Sequence, residues 1–300
     1  MNFIHKNAEK TKDELEKAPG IEGQALQRHR WTPVRLKDRK AMSKDTRTYT
    51  FELPEDRPVL GIGPCQHIEV AFHMKDKMLI RPYTPTRPLL LPVDSLEKSR
   101  LNEEPDPLSD QRDGQGMFQL TVKTYFPNDD QPGGALSNVL DCIPVGEEID
   151  IRGPTGDIVY EGYGNFSVSG EKRTYKRVSL VLGGSGITPG YALISRILLT
   201  DGDTTEIRVI DANKTPDDIL LRGELKKFED ESNGQLKIAH VISSPNEEWK
   251  GLRGHVDESK IRQHLFEPSD ESVVILCGPP VMIEKAVLPA LDGKLRFVLH

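Results

Sequence analysis

The hydrophobic periodicity of this chain changes once, near residue 176, and no other feature constrains the fold as strongly. Upstream, short runs alternate apolar and polar residues: RTYTFELP (47–54), QHIEVAFHM (66–74), KMLIRPYTP (77–85), FQLTVKTYF (118–126) and EEIDIRGPTG (147–156). Period-two alternation marks strands, and proline and glycine clusters separate the runs. Several short strands without intervening helices predict an antiparallel barrel or sandwich. Downstream, apolar strands alternate with helical segments. RVSLVLGG leads to YALISRILL, EIRVIDAN to LLRGELKKFEDE and SVVILCG to VMIEKAVLPAL, with LKIAHVIS a further strand. Tyr191, Ile194, Ile197 and Leu198 fall on one helical face. This alternation predicts a parallel sheet with helices on both faces.

The expected organisation is a polar tail or linker over 1–28, a β-barrel over 29–168 and an α/β domain over 176–300. The break between the two domains falls at NFSVSGEKRTYK (165–176). The proline-, acid- and serine-rich stretch 89–115 reads as a long, partly disordered surface insertion in the barrel.

Charge and cysteine usage exclude several functions. Net charge is −7 with a pI of about 5.7, so no basic excess exists to neutralise nucleic-acid phosphates. Cys65, Cys142 and Cys277 are odd in number and lack metal-ligand spacing, which favours a reducing compartment. The eight histidines are scattered without ligand spacing, and His67 reads as a structural residue at a strand entry. No metal site is expected. The opening MNFIHKNAEKTKDELEK is charged throughout and lacks the apolar core of a secretory signal. No run of about 20 apolar residues occurs, so no transmembrane segment is expected and the chain reads as cytoplasmic.

Three short motifs carry candidate chemistry. In Gly183-Gly184-Ser185-Gly186-Ile187-Thr188-Pro189 an apolar strand enters a glycine turn that opens a helix. Gly183 and Gly184 permit a sharp turn, Gly186 a close approach by a ligand. Thr188 is expected as the N-cap and Pro189 as the first helical residue. A helix N-terminus suits a phosphate, although the turn alone also reads as a capped strand-to-helix connection without a ligand. Arg81-Pro82-Tyr83-Thr84-Pro85 ends a strand. Its arginine offers a donor fork for a pyrophosphate, and Tyr83 and Thr84 a flat wall and a hydroxyl. It also reads as a plain strand exit. Cys277-Gly278-Pro279-Pro280-Val281-Met282 lies at the carboxyl end of a parallel strand, where α/β sheets bind ligands. A lone cysteine there also serves as a small buried hydrophobe.

Taken in order, RPYTP, GGSGITP and CGPPVM resemble the ferredoxin–NADP reductase superfamily. Within it they are similar to the cytochrome b5 reductase branch, including the flavin module of eukaryotic, fungal-type nitrate reductases. The stretches VKTYFPNDDQPGGALSNVLDCIPVGEEIDIRGPTGDIVYEGYGNF and DANKTPDDILLRGEL extend the resemblance over about 31–300. It implies an antiparallel FAD-binding β-barrel followed by a Rossmann-like parallel-sheet domain for NAD(P)H. By position, Arg81 would meet the FAD pyrophosphate, with Pro82 beside it, and Tyr83 and Thr84 the flavin ring. Thr121, Lys123 and Tyr125 would line the isoalloxazine and ribityl region. Gly134, Ala135, Leu136 and Ser137 would present N–H groups and a hydroxyl to the pyrophosphate. Gly183, Gly184 and Gly186 would lie along the nicotinamide nucleotide, with Thr188 reaching toward the flavin. Cys277, with Gly278, Pro279 and Met282, would place the nicotinamide by steric and electrostatic means. Asp218 would face the adenosine ribose and favour NADH over NADPH, or else serve as an acid at a helix N-terminus.

The implied activity passes hydride from NAD(P)H to FAD, then single electrons to a heme protein of the cytochrome b5 type. A flavin module of a nitrate reductase-like protein is the nearer alternative, and a non-catalytic module that keeps the fold the more distant one. Leu136 stands where the family's middle motif has methionine. The chain ends Phe297-Val298-Leu299-His300 rather than on an aromatic residue, which leaves an aromatic cover over the flavin in question.

Overall fold

Alternation in the first half becomes a six-stranded antiparallel sheet in the computed structural model, which describes residues 23–90, 116–127, 133–291 and 296–299. The strands are β1 (Thr32–Ala41), β2 (Thr46–Glu52), β3 (His67–Met74), β4 (Lys77–Tyr83), β5 (Met117–Lys123) and β6 (Glu148–Thr155). Their spatial order is β4-β3-β6-β1-β2-β5. The chain leaving β4 returns to the far edge: Thr86 N–H donates to Gln119 O, and Gln119 N–H to Arg87 O, at 2.9 and 3.0 Å. That contact curls the sheet into a barrel. Inward residues from five strands, among them Leu36, Phe51, Val70, Phe118 and Ile151, form one apolar cluster. Helix α1 (Ala135–Cys142) closes its end with Leu136 and Leu140.

Two stretches differ from their sequence reading. Residues 23–28 lie within the segment read as a tail. There Ala25 and Leu26 pair with Val59 and Leu60 and join the barrel core. Residues 165–176, read as a break, contain β8 (Asn165–Val168) and β9 (Glu171–Thr174), which pair with β7 (Ile158–Gly162) in a small antiparallel sheet. Ile158, Tyr160, Phe166 and Tyr175 pack into the same cluster as Val178 and Leu180 of the second half. The insertion lies outside the described residues from 91 to 115.

The second half is a parallel sheet of β10 (Arg177–Gly183), β11 (Glu206–Asn213), β12 (Leu236–Ile242), β13 (Leu252–Arg253), β14 (Ser272–Cys277) and β15 (Arg296–Val298). Its order is β13-β12-β11-β10-β14-β15. Strand order therefore reverses between β10 and β14. On one face pack α2 (Ile187–Leu198) and α3 (Arg222–Glu231), with Tyr191, Ile194, Leu225 and Phe228 buried. On the other lie α4 (Glu258–His264) and α5 (Pro280–Ala290), which has a π turn at Ile283–Val287. In an open α/β sheet the crevice at the reversal point binds the ligand. Both GGSG and CGPP end there.

The barrel core rests on aromatic stacking, with Phe51 and Phe118 centroids 5.2 Å apart. Phe118→Ala is expected to cost about 3–5 kcal/mol, measured as a fall in the urea midpoint with an unchanged m-value.

Candidate functional site

The two motifs at the reversal point interlock through their glycines. A Cβ on Gly183 would stand 2.7 Å from Pro279 Cδ and 3.0 Å from Met282 Cε. One on Gly186 would stand 2.7 Å from the Cys277 carbonyl carbon, and one on Gly278, at φ +154°, 2.9 Å from Gly183 N. The neighbour that requires glycine at 186 is thus the chain itself and not a ligand. Gly184 is the open position. It has φ +54°, and a Cβ there meets nothing within 4 Å.

The helix start also differs from expectation. Gly184–Gly186 form a 3-10 turn, α2 begins at Ile187 and Gly186 takes the N-cap position. Thr188 is inside the first helical turn, and its hydroxyl donates to Ser185 O at 3.1 Å. Pro189 is the third helical residue and still tolerated, because first-turn N–H groups lack intrahelical partners.

Across from these turns stands the barrel, and between them lies a cavity of about 600 Å³. The barrel wall carries Arg81, Pro82, Tyr83 and Thr84 from the end of β4. Thr121 and Lys123 come from β5, and Tyr125 follows it. Gly134, Ala135, Leu136 and Ser137 at the start of α1 complete this side. The opposite wall carries Gly183, Gly184, Gly186, Thr188, Cys277, Gly278 and Pro279. Two sequence candidates lie outside the lining. Met282 buttresses Gly183 from behind. Asp218 bonds Lys123 at the cavity's edge, and its other oxygen accepts from Thr215 N–H and Oγ1, both at 2.8 Å. Sequence reading missed Ser185, Pro280, Ile283, Glu284 and Leu299 on the wall. The first four adjoin the motifs. Leu299 arrives through its N–H bond to Leu276 O, at 2.8 Å, which only the sheet reveals.

The electrostatics suit an anion. Helices α1 and α2 both begin at the cavity with no side-chain cap and no acid in the first turn. In α2 the Ile187 N–H is taken up by Gly184 O and Ser185 O, but the dipoles of both helices still favour an anion at this end. Arg81 is exposed, and among the described residues it bonds only the carbonyl of Ile80, at 2.7 Å. Lys123 also lines the cavity, but its ammonium is paired with Asp45 and Asp218. Burial pushes the Tyr83 hydroxyl pKa up, so it stays a neutral donor at the wall. Thr121 is buried, its Oγ1 3.1 Å from Thr86 Oγ1 and 3.3 Å from Thr48 Oγ1. It lines the cavity with its hydroxyl turned toward its neighbours. Burial pushes the Cys277 thiol up to about 11. A protonated thiol is no nucleophile at neutral pH, so Cys277 contributes shape and polarizability. These features fit two phosphate-bearing cofactors meeting in one cleft.

Comparison with known proteins finds two family models along the chain. Residues 33–89 and 101–160 match the oxidoreductase FAD-binding domain, and 180–287 the oxidoreductase NAD-binding domain. The solved cytochrome b5 reductase domain of Ulva prolifera nitrate reductase superposes with a TM-score of 0.79 at 28% identity. That match covers 91% of this chain and 100% of the other. The chain thus carries an oxidoreductase FAD-binding domain followed by an NAD-binding domain, and is homologous to the cytochrome b5 reductase domain of nitrate reductase. Rice nitrate reductase [NADH] 1 is 38% identical over 272 residues, 88% of this chain. The Petunia hybrida nitrate reductase [NADH] is 36% identical over 285 residues. The reductase module spans only 27% and 28% of those two relatives. Among the described residues no helix is long and apolar enough to cross a membrane.

The cysteines of the module differ in reach: Cys277 is buried and Cys142 exposed. Iodoacetamide at pH 8 is expected to alkylate Cys142 at least tenfold faster than Cys277, read by peptide mass spectrometry. Cys277 labelling is expected to climb only as pH approaches 11.

Proposed function

We propose that this module passes reducing equivalents from NADH through FAD to a heme protein of the cytochrome b5 type. One observation carries the reading: barrel motif and sheet-end motifs face each other across a single cavity. FAD would lie against the barrel. Arg81 and the N-terminus of α1, from Gly134 to Ser137, would neutralise its pyrophosphate. Pro82, Tyr83, Thr84, Thr121, Lys123 and Tyr125 would form the wall beside its ring and ribityl chain. The nicotinamide nucleotide would follow the Gly183–Gly186 turn, with Thr188, Cys277, Gly278 and Pro279 fixing its reactive end and Met282 supporting the turn. Bound FAD supplies the conversion of a two-electron hydride into single electrons. What the chain adds is distance and orientation, which supply much of the rate in such reactions.

NADH is the proposed reductant because Asp218 puts a carboxylate at the edge of the nucleotide cleft. A carboxylate there repels a 2′-phosphate. The nitrate reductase relatives that carry NADH in their names agree. A second reading, that the module acts inside a longer nitrate reductase-like protein, is supported by the quarter-length coverage of those relatives. Its heme acceptor would then be a neighbouring domain.

Ferricyanide reduction by the FAD-loaded module tests the reading, with NADH expected to outperform NADPH. Asp218→Asn is expected to shift the NADPH-to-NADH ratio of kcat/KM upward by about tenfold, equivalent to about 1.4 kcal/mol. An unchanged ratio would contradict a role for Asp218 in coenzyme choice and leave it as the partner of Thr215 and Lys123. Cys277→Ser is expected to keep FAD while slowing reduction of the flavin by NADH in stopped flow. Loss of FAD would contradict the placement of Cys277 on the nucleotide side.

A further inference from the structure

Lys123 stands between two carboxylates from different halves of the molecule. Asp45 Oδ2, from the β1–β2 turn, lies 3.2 Å from its ammonium, and Asp218 Oδ1, from the segment after β11, is in direct contact. All three side chains are mostly buried, with 16–17% of their surface exposed. Asp45 is anchored to the barrel: its Oδ1 accepts from Ser43 Oγ at 3.0 Å, and its carbonyl from Thr124 N–H at 2.6 Å. Asp218 is anchored to the other half by the capping box with Thr215. Burial lowers the Lys123 pKa, but its bonds to Asp218 and Asp45 outweigh that and hold it above the ordinary value.

The charge of this cluster is at odds with the cavity it borders. Arg81 and two helix N-termini attract anions, yet Lys123 is neutralised twice over and the cluster is net negative. A phosphate cannot use Lys123 while both carboxylates hold it. The rest of the domain contact is of another kind. Leu89 is buried in the core of the parallel-sheet half. Buried Arg87 donates to Tyr191 Oη at 2.6 Å, and Arg196 to Leu90 O at 2.6 Å. One side of the interface is thus held by buried packing and neutral-acceptor hydrogen bonds, whereas the cavity's edge is closed by an ion pair.

We propose that Asp45, Lys123 and Asp218 form a latch that the nicotinamide nucleotide opens, with Asp45 as the residue that positions Lys123. In the coenzyme-free protein Asp218 holds Lys123 and ties the 214–219 segment to β5. On binding, Asp218 releases Lys123 while Asp45 keeps the ammonium at the cavity mouth, where it meets the incoming phosphates. The inference rests on the nucleotide-reductase reading above. Without Asp45, Lys123 would pair with Asp218 alone, so the latch would open less readily and the freed lysine would lose its fixed place. Both effects weaken coenzyme binding and leave the chemistry intact.

The test combines amine footprinting of Lys123 with NAD⁺ titration calorimetry on the FAD-loaded protein. In the coenzyme-free protein Asp218→Asn is expected to raise acetic-anhydride labelling of Lys123 several-fold. Unchanged labelling would show that no latch forms. Asp45→Asn is expected to raise the NAD⁺ Kd and the NADH KM at least fivefold, with kcat changed less than twofold and FAD absorbance retained. Asp45→Glu is expected to recover most of the affinity. An unaltered Kd in Asp45→Asn, or a loss confined to kcat, would overturn the positioning role. Failure of the wild-type protein to bind NAD⁺ at all would instead overturn the functional reading, since footprinting of the latch needs no coenzyme.

Discussion

The close approach of two strand ends, β10 and β14, sets the geometry on which the site depends. Parallel pairing aligns Leu182 with Cys277, so their successors must turn away in the same small space. Gly183, Gly186 and Gly278 make that possible, because any Cβ at these positions would meet the opposing turn at 3.0 Å or less. With the turns interlocked, Gly184 is left facing open space, Cys277 is fixed at the wall and α2 begins without a side-chain cap. Packing between two loops thereby sets the start of α2 against the cavity. The proline that follows Thr188 fits this arrangement, since the first helical turn lacks intrahelical acceptors in any case.

The barrel supplies the complementary half by a different route. Closure of the strand after β4 onto Gln119 brings RPYT to the same end of the barrel as the start of α1. Lining residues therefore come from both halves and face each other across one cavity. Tyr160 ties the small β7–β9 sheet to Asp203 in a buried hydrogen bond. Together with Leu89 and the Arg87–Tyr191 contact, it holds the two halves in register across the cleft.

Much of this was legible in the residues. The switch from period-two runs to strand–helix alternation gave the architecture, and 18 of the 20 site candidates line one cavity. The rest was hidden for identifiable reasons. Ala25 and Leu26 look like the end of a charged tail because their partners, Val59 and Leu60, are distant in sequence. The EKRT strand, β9, has four exposed residues and no alternation to read. Thr188 resembles a cap because local preference points there, but the 3-10 turn before it moves the helix start forward. The sequence around Asp218 points to a ribose ligand or a helix acid. Its contact with Lys123 spans 95 residues and two halves of the fold, a pairing that no local pattern encodes.

The central claim is that one cleft brings FAD and NADH together. An anaerobic titration of the purified, FAD-reconstituted chain with NADH, followed in the visible spectrum, tests it most directly. The account predicts a bound flavin spectrum that bleaches completely at about one NADH per FAD. A chain that remains colourless after incubation with FAD, or a bound flavin that NADH leaves oxidised, would contradict it.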